Sequence, residues 1–282
     1  MQVTKDIEAA INIVNSKIVD REEYRPVKIF PNYSLKTFKQ IKFNSSNILT
    51  KCSSMADILD LMSLNARYSD AKLSCYSPNR LDEYFINYMV KLLFLTHHKY
   101  IEYIFDRPVV KSKNIYKEIR NKLDDKTRYF FDELYKHVDT TNIFDTILCD
   151  LGVADYRVLE RYIRHLSVNK YAKAAKSSEI NEINFFLSKD SELDQFEKDS
   201  FSFINLGYDI SNRKEEKIQH ILDATKSKVV PLLKEHGKIQ VFRSKKDILI
   251  DGLTRIETRS IDDPNSPSNE CKKEYAYVYK AQ

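Results

Sequence analysis

Residues 80–105 read RLDEYFINYMVKLLFLTHHKYIEYIF, the strongest helical signal in the chain. Leu81, Phe85, Tyr88, Met89, Leu92, Leu93 and Leu95 recur at spacings of three and four, in a band wide enough to be buried on more than one side. Pro78 and Asn79 open this helix and Pro108 ends it. Upstream, Thr4 caps a helix carrying Ile7, Ala10, Ile11, Val14 and Ile18. Pro26 and Pro31 bracket a break, Leu35 to Phe43 alternates like a strand or extended arm, and Ser53 or Ser54 starts a short helix through Leu64.

Downstream, Lys111 to Lys122 and Asp125 to Val138 are amphipathic helices, with Asp124-Asp125 supplying an N-cap. Further helices are expected over Thr141 to Leu151, Asp155 to Lys176, Ser191 to Ile204 and Ser211 to Glu235, the last kinked at Pro231. A β signature comes only near the end, at Lys238 to Phe242, Asp247 to Leu249 and Leu253 to Thr258, with Gly237 and Gly252 at turns. Asp262 to Asn269 reads as a loop and Glu274 to Tyr279 as a small edge strand. The expected fold is therefore mainly α, a multi-helix bundle-like body with a small β-containing C-terminal segment. Its expected domains are a helical body over 1–205 and a long helix plus β segment over 206–282.

Composition limits the chemistry. The chain has four glycines in 282 residues and none before Gly152. Loops that cradle phosphates need glycine, which alone lets backbone take φ > 0 or approach a ligand closely. The first half therefore holds no phosphate-binding loop and no dinucleotide fingerprint. Four scattered cysteines form no C-x-x-C pair, so no metal is expected, and no cofactor motif stands out. Plentiful Lys, Asn, Ile and Tyr hint at an AT-rich genome such as that of a phage or other mobile element. The N-terminus lacks the pattern of a signal peptide and no run is long enough to span a membrane, so a soluble, cytoplasmic protein is expected.

Net charge is +5, but it is unevenly spread. Arg107 to Arg128 holds eight basic residues against three acidic, and Arg157 to Lys176 six against one. The second run overlaps the segment 144–166. There Ile147, Leu148 and Leu151 face inward, Gly152 makes a turn, and Val158, Leu159, Tyr162 and Ile163 hold a second helix against the first. The segment resembles the helix-turn-helix of bacterial regulators, which implies DNA reading by the second helix. Tyr156, Arg157, Arg161 and Arg164 would face the nucleic acid and Lys170 and Lys173 its phosphates. Leu148 stands where such motifs usually keep alanine, and an ordinary helical corner explains the same spacing.

Other constellations point elsewhere. His98 and Glu102 share one helix face at i, i+4 but lack further ligands. Asp70-x-Lys72, with Asp60 or Asp57 upstream, resembles the carboxylate and lysine pair of restriction-type nuclease cores, which implies a shared metal and attacking water. Tyr84, Tyr88, Tyr100 and Tyr103 could stack bases or form a protein contact. Three functions follow: a DNA-binding regulator or replication factor, a non-catalytic protein-interaction or inhibitor protein, and a metal-dependent nuclease centred on Asp70 and Lys72. The partners expected are a nucleic acid or another protein.

Overall fold

The computed structural model describes residues 2–15, 20, 23–24, 47–52, 58, 61, 72–95, 116–138, 183–209, 214–244, 250, 253–261 and 274–281. In chain order its elements are α1 (Gln2–Val14), β1 (Asn47–Lys51), β2 (Lys72–Ser77), α2 (Arg80–Leu95), α3 (Asp125–His137), β3 (Ile183–Leu187), β4 (Phe201–Asp209), α4 (Glu215–Ala224), β5 (Leu233–Ser244), β6 (Leu253–Ile261) and β7 (Glu274–Ala281). The chain divides into two compact units, one of residues 1–30, 54–59 and 78–177, the other of 31–53, 60–77 and 178–282.

The second unit contains a seven-stranded sheet of order β3-β2-β1-β4-β5-β7-β6. Strands β1 to β5 are mutually parallel, and β7 runs antiparallel between β5 and β6. This overturns the mainly α expectation: the protein is α/β, and its β content is not confined to a C-terminal segment. The helix expected over Ser191 to Ile204 is a 3₁₀ turn at Asp190–Gln195 followed by β4. The helix over Ser211 to Glu235 stops at Ala224, passes through π and 3₁₀ turns to Leu232, and gives way to β5. The supposed edge strand β7 lies inside the sheet.

The reason lies in burial. A strand covered on both faces carries no polar alternation, and β1 and β2 have only five and six residues. In β1 and β2 the pleat still sorts the residues. One face presents Leu49, Tyr76, Ile204, Leu206, Ile239 and Tyr279, which form one buried cluster with Leu193, Phe196, Ile218 of α4, Val229 and Leu232. The opposite face carries Ile48, Thr50, Cys75, Phe203, Asn205 and Gln240, all buried.

In the first unit, α2 and α3 pack through aromatic rings. Tyr84 stacks on Phe130 at 4.1 Å between centroids, and Phe85 and Tyr88 meet Phe131 at 5.3 and 4.6 Å. These rings explain the wide apolar band of α2. Asp124 caps α3 as expected, its carboxylate accepting from Thr127 N at 2.8 Å and from Thr127 Oγ1 at 2.7 Å. Asp6 of α1 is buried and accepts from Tyr84 Oη (2.7 Å), Tyr24 Oη (2.9 Å), Arg80 Nε (2.9 Å) and Gln2 Nε2 (3.0 Å).

Candidate functional site at the carboxyl ends of β1 and β4

In an open parallel sheet, side chains and backbone groups beyond the carboxyl ends of the strands are free of the ladder. A crevice forms where the winding reverses, because the connections from two neighbouring strands leave in opposite directions. Here the reversal falls between β1 and β4. The two strands pair through Ile48, Leu49 and Thr50 with Phe203, Ile204 and Asn205; β1 then ends at Lys51, while β4 continues along β5 to Asp209.

At that point three polar side chains stand side by side on one face. Register places Thr50 opposite Asn205 and Asn205 opposite Gln240. All three are completely buried. Asn205 Nδ2 donates to Thr50 Oγ1 at 3.1 Å, and Thr50 Oγ1 donates to the Lys51 carbonyl at 3.2 Å. Asn205 Oδ1 and both amide atoms of Gln240 have no hydrogen-bond partner. Directly beyond the row, β4 gains a residue against β5 between Asn205 and Tyr208, with Gly207 at φ 58°. Only glycine takes that conformation without strain. Strand β5 is irregular against β7 between Gln240 and Phe242. Bulges on both strands re-aim the chain at one level of the sheet, the level at which β1 ends.

On the other face a charged cluster ties the ends of β1, β2 and β3 together. The Lys51 ammonium pairs with Asp190, which follows β3, and Tyr76 Oη donates to the second Asp190 oxygen at 3.1 Å. Cys52 N donates to Tyr76 O at 2.8 Å and Ser188 N to Ser77 O at 3.0 Å, so the ladder continues to the lip of the sheet. Lys51 and Asp190 are partly exposed there. A half-buried opposite-charge pair beside a crevice can receive a ligand that carries both charges.

The residues singled out from sequence fall differently. Tyr156, Arg157, Arg161, Arg164, Lys170 and Lys173 lie outside the described residues, as do Asp60, Asp70, His98 and Glu102. Lys72 is described: it is the exposed first residue of β2, at the amino edge of the sheet and away from the crevice. Among the described residues no group of three or more His, Cys, Asp and Glu could hold a metal. The basic residues described between 116 and 128 are largely engaged internally. Arg120 holds Asp132 at 2.7 Å, Lys126 holds Glu83 at 2.5 Å, and Arg128 pairs with Asp125. Sequence reading missed Thr50, Asn205 and Gln240. The signal that could have found Asn205 and Gln240 is a polar residue between two apolar ones, Ile204 and Leu206 for the first and Ile239 and Val241 for the second.

No family model and no curated protein matches the chain. Two solved structures of the rRNA methyltransferase AviRa from Streptomyces viridochromogenes are similar to it at 9% sequence identity. One, at 2.4 Å, covers 89% of this chain and 86% of that one with a TM-score of 0.43; the other, at 1.5 Å, covers 96% and 92% with a TM-score of 0.44. The DNA-binding, interaction-protein and nuclease readings all rested on a mainly helical body, or on a nuclease core with Lys72 at its centre. The seven-stranded sheet, with Lys72 on the edge remote from the crevice, removes that basis. Among the described residues no helix is long and apolar enough to cross a membrane.

Proposed function

We propose that this protein is a methyltransferase that binds S-adenosylmethionine in the crevice between the carboxyl ends of β1 and β4. The observation that carries the reading is the strand order β3-β2-β1-β4-β5-β7-β6 with β7 alone reversed. That is a doubly wound sheet closed by one inserted antiparallel strand, the Rossmann-like arrangement of such methyltransferases. Fold by itself does not assign chemistry, so the site must fit the ligand.

One feature of the site supports the fit. The Lys51 and Asp190 pair matches the head of an α-amino acid, ammonium toward Asp190 and carboxylate toward Lys51. When bound, the ligand supplies a methyl group on a positively charged sulfur, ready for displacement by a nucleophile. The chain's part is to hold that group at the crevice and keep water from it.

Calorimetric titration of the protein with S-adenosylmethionine, S-adenosylhomocysteine and NAD tests the reading. Binding of the first two but not of NAD is expected, with Asp190→Asn weakening it about tenfold through loss of one charge-assisted bond. Absence of binding to either sulfur compound, or equal binding of NAD, would remove the proposal.

A further inference from the structure

Strand β3 is one end of the seven-stranded sheet and β6 is the other. An end strand offers a row of backbone donors and acceptors to any further strand, and native sheets guard that row with charged residues, proline or bulges. The two ends differ here. Along β6 the sequence sets Arg255, Glu257 and Arg259 within nine residues, and the strand slips register against β7 between Arg255 and Glu257. Along β3, Ile183-Asn184-Phe185-Phe186-Leu187, it sets no charge, no proline and no glycine. Three large apolar side chains are exposed among the described residues, and two of them, Phe186 at 37% and Leu187 at 45%, are neighbours on β3.

Hydrogen bonding fixes which residues of β3 face outward. Ser188 N donates to Ser77 O of β2 at 3.0 Å. Backbone groups of successive strand residues alternate in direction, so Phe186 and Asn184 share the side of Ser188 and turn to β2. Ile183, Phe185 and Leu187 turn their N–H and C=O groups the other way. Among the described residues no strand pairs with β3 on that side.

An outward row centred on Phe185 is complementary to itself. Turned antiparallel about a two-fold axis through Phe185, a second β3 sets Phe185 opposite Phe185 and Ile183 opposite Leu187 as hydrogen-bonded pairs, with Asn184 opposite Phe186 between them. No charge meets its like, and the aromatic and aliphatic pairs are of the kind that stabilise sheets. We infer that β3 is a self-association edge, at which two copies of this chain join their sheets by antiparallel β3–β3 pairing. The β6 edge of another copy does not suit β3, because Arg255, Glu257 and Arg259 would lie along an apolar row. The contact is therefore the same on both copies and closes at two. Two five-residue edges cover on the order of 300 Å² per copy, below the roughly 800 Å² per partner of a standard interface. Such a dimer is weak and dissociates at micromolar concentrations or above. It is independent of what the crevice binds.

Sedimentation equilibrium of the full chain from about 1 to about 500 μM tests the pairing, and a monomer passing to a dimer across that range is expected. Leu187→Lys sets a charge on the outward row against Ile183 of the other copy and replaces a side chain already half in water. That variant should stay monomeric throughout, with an unchanged circular dichroism spectrum. Hydrogen exchange at the two ends of the range reads the edge directly on the unaltered chain. The amides of Phe185 and Leu187 should exchange on the order of tenfold more slowly once about nine chains in ten are paired.

A chain that is monomeric at the highest concentration overturns the inference. So does a dimer whose β3 amides exchange as fast as the monomer's, or one that a folded Leu187→Lys protein still forms. Where that variant does not fold, sedimentation and exchange on the unaltered chain decide the matter alone.

Discussion

Asn205 Nδ2 donates to Thr50 Oγ1 at 3.1 Å across the boundary between β4 and β1, the two strands at which the winding of the sheet reverses. The bond is fully buried and belongs to a row whose third member, Gln240, has no partner at either amide atom. A structural row would be expected to satisfy itself. This one satisfies only the half next to β1.

Removing the Gln240 amide should therefore stabilise the fold. Replacing a buried amide that makes no bond by an apolar side chain of similar length removes a desolvation cost of about 1–3 kcal/mol. Gln240→Met is expected to raise the urea midpoint of unfolding. A variant less stable than the parent would mean that the amide supports the fold.

Asp6 makes a second kind of buried polar group, one that is saturated. Burial pushes its carboxyl up, but hydrogen bonds from Tyr84, Gln2, Arg80 and Tyr24 outweigh that and hold it below the ordinary carboxylate value. A lowered folded value means stability present above the unfolded value and lost as pH falls through the folded one. Asp6→Ala strands the Arg80 guanidinium and two hydroxyls, and should cost about 3 kcal/mol at neutral pH. The difference between parent and variant should then narrow as pH falls below the ordinary carboxylate value and the parent carboxyl takes up its proton.

The same cluster acts at the alkaline end. Burial first, and then the neighbouring Asp6 carboxylate, hold the Tyr24 hydroxyl up to about 12, and Tyr84 is raised by the same causes in the same order. For a group raised by folding, the contribution is complete below the unfolded value near 10 and is lost as pH climbs toward the folded one. Unfolding followed between pH 9 and 12 should show stability falling across that window. Tyr24→Phe, though weaker at neutral pH, should show a shallower fall; an unchanged slope would place the alkaline sensitivity elsewhere.

The described helices of the first unit were legible in the chain, and the sheet was not. Asp124 before an amphipathic run announced its cap, and the aromatic band of residues 80–95 announced a helix buried broadly. Those signals are local, carried by neighbours three and four apart. Strands β1 and β2 announce nothing locally. Asn47–Lys51 and Lys72–Ser77 are held by partners more than twenty residues away, Thr50 and Ser74 interrupt what apolar run they have, and Asn205 does the same in β4. The polar residues that disguise the strands are, at Thr50 and Asn205, the residues of the candidate site. Gly207 was visible as a rare glycine, but its meaning, a bulge at the end of β4, needs the register to be known.

Gly237 offers a test of the sheet itself. Between Phe201 and Phe203, β4 advances two residues while β5 advances from Leu233 to Lys238, so Lys234 to Gly237 bulge out, with His236 at φ 61°. A Cβ built on Gly237 would stand 2.8 Å from the Lys234 carbonyl oxygen and 3.1 Å from that of Phe201. Both are backbone atoms of paired strands and cannot swing aside. Gly237→Ala should therefore cost about 1–3 kcal/mol by overpacking, far more than an alanine at an unconstrained surface turn. Urea unfolding of the variant measures the loss. Because this bulge lies at the amino end of β5, on the sheet edge opposite the crevice, ligand affinity per folded molecule should be unchanged. A Gly237→Ala protein that kept its stability would mean that β5 does not enter the sheet through this bulge, and the register that sets Gln240 beside Asn205 would have to be redrawn.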